Sequence, residues 1–147
     1  MSLVNFGSVL KFVRGGEPDP EEKKQLFKEV ALMALARATS ADTNIQGVEV
    51  ETVQRILRNA TGEDVSIADI RLAAHSEVFE KEPLEKYLSG VGRKLDVGDR
   101  VSIMLSLAEV IRSDERVAQF EIDYFDMVAN ALRATPSEIA GLVRAAG

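Results

Sequence analysis

Two stretches of the chain are apolar on nearly every helical face. The first runs from Leu26 to Ala38 and the second from Val101 to Ile111. A helix that is apolar all round is buried on most sides, so the pattern predicts two central helices. No stretch alternates apolar and polar residues over more than a few positions, as a half-buried strand would. The sequence therefore predicts an all-α fold.

Breaker and capping residues set the bounds of these helices. Gly15-Gly16-Glu17-Pro18 interrupts the chain, and Asp19-Pro20-Glu21-Glu22 supplies an N-cap, a proline in the first helical position and first-turn acids. Farther along, Pro83 to Leu95 carries apolar residues at helical spacing. This pattern predicts a connecting helix that is closed by Gly90 and Gly92 or ends shortly after them.

The residues before the first breaker form a separate segment. We expect an amphipathic helix and linker over residues 1–18, followed by a helical domain over residues 19–147. Lys11 and Arg14 close the apolar stretch, so contact with a membrane surface is one interpretation, although packing on the domain or on a partner is favoured. The expected contact with a partner protein, or with a second copy in a homodimer, uses five apolar residues: Phe6, Val9, Leu10, Phe12 and Val13.

An acidic pattern occurs twice. Asp42 is followed seven residues later by Glu49, and Asp114 is followed at the same spacing by Glu121, 72 residues farther on. The same shift aligns apolar residues across two helices, which chance matches rarely do. A capping box follows the second helix of each copy, at Ser66 and at Thr135. We therefore predict a single domain of about seven to eight helices, built from two pseudo-symmetric three-helix units.

The acidic residues are the main candidates for chemistry. Asp42 and Asp114 each follow a predicted helix C-terminus, where the helix dipole disfavours a carboxylate, whereas Glu49 and Glu121 fall in the next first turn, where it is favoured. Each pair could simply brace its own turn through backbone hydrogen bonds. The alternative is a site for Ca²⁺, Mg²⁺ or Mn²⁺, which prefer oxygen ligands. Its candidate ligands are Asp42, Asn44, Gln46, Glu49, Asp114 and Glu121.

The two acidic segments differ as ligand sets. Asp42, Asn44 and Gln46 occupy positions 1, 3 and 5 of a calcium loop of the EF-hand type, but Val53 stands where the twelfth position requires a glutamate, so a regular EF-hand is excluded. The second segment carries Arg116, which could pair with its own aspartate, so the first segment is the better candidate.

Composition narrows the function further. The chain has 147 residues, no cysteine and a formal charge of −6, with a pI near 4.9. Without cysteine there are no disulfides or thiolate ligands, and a cytoplasmic location is expected. The negative charge disfavours nucleic-acid binding, which needs a basic face. His75 is the only histidine, and we expect it to lie at the surface rather than to act as a base.

An apolar helix, then an Asp with a Glu seven residues on, occurring twice, resembles the TerB-like tellurite-resistance family. That family is also similar to the N-terminal domain of DjlA-type co-chaperones. The resemblance covers roughly Leu26 to Val143 and implies a compact helical fold with a metal-linked or scaffolding role in stress response. It carries the acidic positions over to Asp42, Glu49, Asp114 and Glu121. The family's usual Ala-Asp-Gly is replaced by Ala-Asp-Thr and Ser-Asp-Glu in this chain.

We therefore expect a non-catalytic interaction module that acts on other proteins and is tuned by a divalent cation. The alternative is a metal-dependent accessory enzyme that uses the same carboxylates. A helical DNA-binding regulator is a weaker alternative, because of the net charge.

Overall fold

The computed structural model describes residues 3–39, 50–76, 83–113 and 119–134. Throughout these residues the regular structure is helical, with no strand, which confirms the all-α prediction. In the described part of the chain, a short 3₁₀ helix precedes seven α-helices: 3₁₀ Leu3–Asn5, α1 Gly7–Phe12, α2 Pro20–Arg37, α3 Val50–Thr61, α4 Ile67–Ala74, α5 Leu84–Gly92, α6 Val97–Arg112 and α7 Gln119–Ala131.

Helix α2 starts where its capping residues predict. The Asp19 side chain accepts a hydrogen bond from the Glu22 backbone N–H at 2.8 Å, and the Glu22 side chain accepts one from the Asp19 N–H at 3.0 Å. This reciprocal arrangement is a capping box, which satisfies two N–H groups that the helix itself leaves unpaired. Pro20 occupies the first helical position. The start of the central helix is thus fixed by four consecutive residues.

Helices α2 and α6 form the centre of the fold, as their all-round apolar pattern predicts. Every residue from Val30 to Ala36 is buried, and α2 contacts α1, α3, α4 and α6. On α6 the residues from Ile103 to Ile111 are buried except for the half-buried Leu105 and the exposed Glu109, so most faces of this part of the helix are covered. An ion pair of 3.1 Å between Lys23 and Asp96 links the starts of the two helices.

Helices α3 and α7 have equivalent positions in the two predicted units, and both end in a left-handed residue. Gly62 (φ 75°) follows α3, and Arg133 (φ 58°) follows α7. In the second case the Ala134 N–H donates to the Ala129 carbonyl, which closes a Schellman motif. Each helix therefore stops through backbone geometry. The third helix of the second unit is predicted after Thr135, outside the described residues, so the three-helix repeat stays a prediction.

The N-terminal segment packs on the domain, and the prediction that it exposes its apolar residues is wrong for three of them. Phe6, Val9 and Phe12 are buried in the same core as α2, whereas Leu10 is 38% exposed. The segment is also not one helix, because Phe6 adopts a left-handed conformation (φ 50°) between the 3₁₀ helix and α1. Since buried residues cannot form an exposed partner contact, these three stabilise the fold instead.

A carboxylate from the central helix holds this segment in place. Glu29 of α2 is only 1% exposed, and its Oε1 accepts hydrogen bonds from the backbone N–H groups of Ser8 at 2.8 Å and Val9 at 3.1 Å. Its Oε2 accepts one from Gln25 Nε2 at 3.0 Å. Helix α1 has no capping side chain of its own. Glu29 therefore acts as the N-cap of α1 from another helix.

The connecting helix α5 confirms the predicted inward face, with Leu84, Tyr87, Leu88 and Val91 all buried. Its glycines do more than end the helix. A Cβ on Gly90 would lie 2.5 Å from Val13 Cγ2, and one on Gly92 would lie 3.1 Å from Leu132 Cα. The missing side chains therefore allow the N-terminal segment and the end of α7 to approach α5 closely.

Candidate functional site

Most of the predicted cation ligands lie outside the described residues. These are Asp42, Asn44, Gln46, Glu49 and Asp114. Glu121 is the described member of the set, and it lies in the first turn of α7, as predicted. In the described part of the chain, no three His, Cys, Asp or Glu side chains come together as a metal site. The described residues nearest to the acidic segments belong to the helices that flank them, and these helices define the candidate site.

Glu121 is buried to 1% exposure at the start of α7. A carboxylate is favoured at a helix N-terminus because the unpaired N–H groups and the helix dipole are partly positive there. Tyr124 follows one helical turn later and is also buried. Residues three apart lie on the same face of a helix, so α7 presents an acid and a phenol on its inward side.

The Tyr124 hydroxyl donates a hydrogen bond of 2.5 Å to the backbone carbonyl of Ala34, in the last turn of α2. Tyr124 thus brings a donor from α7 to a carbonyl in the last turn of α2. Burial raises the pKa of Tyr124 well above its ordinary range, with the charge of Arg37 offsetting part of the rise. The phenol consequently remains a donor at any physiological pH.

Arg37 forms a second contact at the same end of α2. Its Nη1 donates to the backbone carbonyl of Ala74, the last residue of α4, at 2.7 Å. A cation is stabilised beside a helix C-terminus, and Arg37 lies close to two of them. Arg37, which pattern analysis did not single out, therefore places a positive charge at the end of α2.

Residues 28–144 match the family described as tellurite resistance protein TerB. The match covers most of the chain, from the middle of α2 to beyond the end of α7. The chain belongs to the TerB family. Both acidic segments of this TerB-family chain fall within the matched residues, which confirms the resemblance drawn from their spacing. No curated protein and no solved structure matched the chain at a significant level.

Other candidate features of this TerB-family chain are modest. His75 is exposed just after α4, where surface placement was predicted. A cleft of about 340 Å³ runs along α6 and is lined, among the described residues, by Leu105, Ser106, Glu109 and Arg112. Within the described ranges, no helix is both long and apolar enough to cross a membrane. The junction around Tyr124 and Arg37 is thus the best-defined polar feature next to the acidic segments.

Proposed function

We propose that the chain is a non-catalytic interaction module of the tellurite-resistance type, acting on other proteins in the cytoplasm. The observation that carries this proposal is the family match over residues 28–144, which spans both acidic segments. Family membership supports the association with tellurite resistance, whereas the scaffold role is our inference from the absence of cysteine and from the helical fold. A protein without thiols cannot trap or reduce tellurite through them.

A divalent cation tunes this module in our proposal. Its ligands come first from Asp42, Asn44, Gln46 and Glu49, and the pair Asp114 and Glu121 contributes the second acidic position of the repeat. Ca²⁺, Mg²⁺ and Mn²⁺ all take oxygen ligands, and a bound cation would relieve the repulsion between a carboxylate and the carbonyl end of the preceding helix. The placement of Glu121 in the first turn of α7 supports the proposal, since it puts one carboxylate of the second pair where the repeat predicts it.

Thermal unfolding with and without metal tests the cation. After treatment with a chelator, millimolar Ca²⁺ or Mn²⁺ should raise the melting temperature, and Asp42→Asn should abolish the rise. Asp126→Asn is the matched control, because Asp126 is exposed on α7 and its loss changes the net charge equally. If neither Ca²⁺ nor Mn²⁺ shifts the melting temperature, the proposed cation site is contradicted. If both variants lose the response equally, the rise in melting temperature depends on the net charge of the protein and not on a cation site at Asp42.

Tellurite tolerance tests the role in the cell. A sensitive bacterial host that expresses the chain should survive higher tellurite, and affinity capture from that host should recover the same proteins with wild type and with Asp126→Asn. Loss of tolerance on Asp42→Asn, with unchanged expression, would tie the cation to the function. Unchanged tolerance in the presence of the wild-type chain would contradict the assignment.

The rival accessory enzyme would use the same carboxylates and metal. It requires converging carboxylates in a concave pocket, and the cleft along α6 has a single carboxylate, Glu109, among its described lining residues. A metal-dependent turnover that Asp42→Asn removes would favour the enzyme. A gel-shift experiment with duplex DNA tests the alternative of a DNA-binding regulator. A DNA complex that persists at physiological salt would favour that alternative.

A further inference from the structure

The N-terminal segment lies in a groove formed by α2, α4 and α5. Its three buried apolar side chains join the core, and the first turn of α1 binds the carboxylate of Glu29. Lys11 forms an ion pair of 2.8 Å with Glu22, and Val13 lies where Gly90 has no side chain. Because all of these contacts are non-covalent, an identical segment from a second copy of the chain would fit the same groove.

The linker between α1 and α2 has the backbone of a hinge. Gly15 (φ 143°) and Gly16 (φ 90°) adopt conformations that residues with a side chain rarely adopt, and both glycines are exposed. An exposed hydrogen bond from the Lys94 side chain to the Gly16 carbonyl must break when this turn opens. Pro18 is buried, and α2 has its own capping box after it. The turn can therefore open while the start of α2 stays folded.

We propose that two copies of the chain exchange their N-terminal segments, so that each segment occupies the groove of the other copy in a symmetric dimer. With the turn open, the chain from Val13 to Pro18 spans up to about 17 Å, which lets the segment reach a neighbouring copy. The exchanged contacts equal the closed ones, so the hinge and the concentration set the balance between monomer and dimer. A tethered segment has an effective concentration on the order of millimolar, so the parent is a monomer at micromolar concentration.

Substitution of the hinge glycines tests the exchange. In the double variant G15A/G16A the closed turn is strained, whereas an extended hinge gives both residues a negative φ. Two hinges open per dimer, so the dimerisation constant in sedimentation equilibrium should rise on the order of a thousandfold. Gly62→Ala is the matched control, because residue 62 also has a positive φ but lies outside the hinge, and it should leave the constant unchanged. A rise below about tenfold in G15A/G16A, or an equal rise in the control, would overturn the exchange.

A disulfide between two different chains tests which surfaces meet in the dimer. V13C and G90C are made separately in the G15A/G16A background, so each chain has one cysteine. After the two chains are unfolded together, refolded and oxidised, mass spectrometry should find residue 13 of one chain linked to residue 90 of the other, because these positions touch in the groove. G98C replaces G90C in the control, since residue 98 is exposed and has no described atom within 4 Å of its Cβ position. A dimer without the 13–90 link, or with equal linkage to residue 98, would overturn the exchange.

Discussion

Replacement of Glu29 tests whether a buried carboxylate on the central helix holds the N-terminal segment. Glu29→Ala removes the acceptor of the Ser8 and Val9 N–H groups and leaves the buried Val9 donor without a partner. A hydrogen bond to a charged group contributes about 1.5–3 kcal/mol, and loss of an N-cap costs about 0.5–2 kcal/mol. Because these contributions overlap, we expect Glu29→Ala to lower the free energy of unfolding by about 3 kcal/mol.

Glu29→Gln separates the geometry from the charge. The amide oxygen can still accept from the first turn of α1, so the loss is restricted to charge assistance and to the helix dipole, about 1 kcal/mol. Gln25 must also reorient its amide to meet the new NH₂ group. Glu21→Gln is the control, since Glu21 is exposed in the first turn of the same helix, and it should change stability by no more than about 0.5 kcal/mol.

Thermal and urea unfolding measure these differences. For a chain of 147 residues, 1 kcal/mol corresponds to about 3 °C, so melting should fall by about 9 °C for Glu29→Ala and about 3 °C for Glu29→Gln. Exchange of the Ser8 and Val9 amides should accelerate in the alanine variant far more than in the glutamine variant. A Glu29→Ala variant within about 1 kcal/mol of the parent, or equal losses for both substitutions, would refute the capping role.

Three further predictions concern backbone geometry and charge. Residues 133 and 62 both have a left-handed backbone, so Arg133→Gly should raise the free energy of unfolding by about 0.5–1 kcal/mol and Gly62→Ala should lower it by about 1 kcal/mol. Urea unfolding measures both changes, and two changes in the same direction would contradict the argument. Burial raises the pKa of Asp99, so ionised Asp99 destabilises the fold at a pH above that raised pKa. Asp99→Asn should therefore raise the melting temperature at pH 7. The difference in melting temperature between variant and parent should narrow as the pH falls toward 3.8, and a constant difference would contradict this. A Cβ on Gly90 would lie 3.6 Å from Val13 Cβ, which is within the Cβ–Cβ range of disulfides. The double variant V13C/G90C should therefore oxidise readily, and denaturant titration should show the oxidised form to be about 4 kcal/mol more stable than the reduced form. Failure to oxidise would refute the close approach of the two residues.

The helices of the core could be predicted from the sequence because their information is local. The start of α2 follows from Asp19 and Pro20, and the inward face of α5 follows from apolar spacing. The docking of the N-terminal segment could not be predicted in the same way. Apolar burial is non-directional, so the pattern of Phe6, Val9 and Phe12 gives an apolar face but not the surface that it covers.

The buried polar contacts of Glu29 and Tyr124 could not be predicted from the sequence for a related reason. Glu29 and Tyr124 bond to backbone groups of distant helices, and backbone groups leave no mark in a sequence. A glutamate directly before the apolar run from Val30 to Ala36 was the available clue, since a buried charge requires hydrogen-bond donors. The acidic pattern, by contrast, predicted the family and the placement of Glu121, because it repeats at a fixed spacing.

The cap that Glu29 provides has a practical consequence for where this protein can be cut. The family match begins at residue 28, so a chain trimmed to the matched region would keep the carboxylate and lose the N–H groups that it binds. That trimmed chain would carry an uncompensated charge beside a cleft emptied of two phenylalanines and a valine. We expect it to aggregate or to express poorly, so the smallest stable unit should include the residues from Leu3 onward.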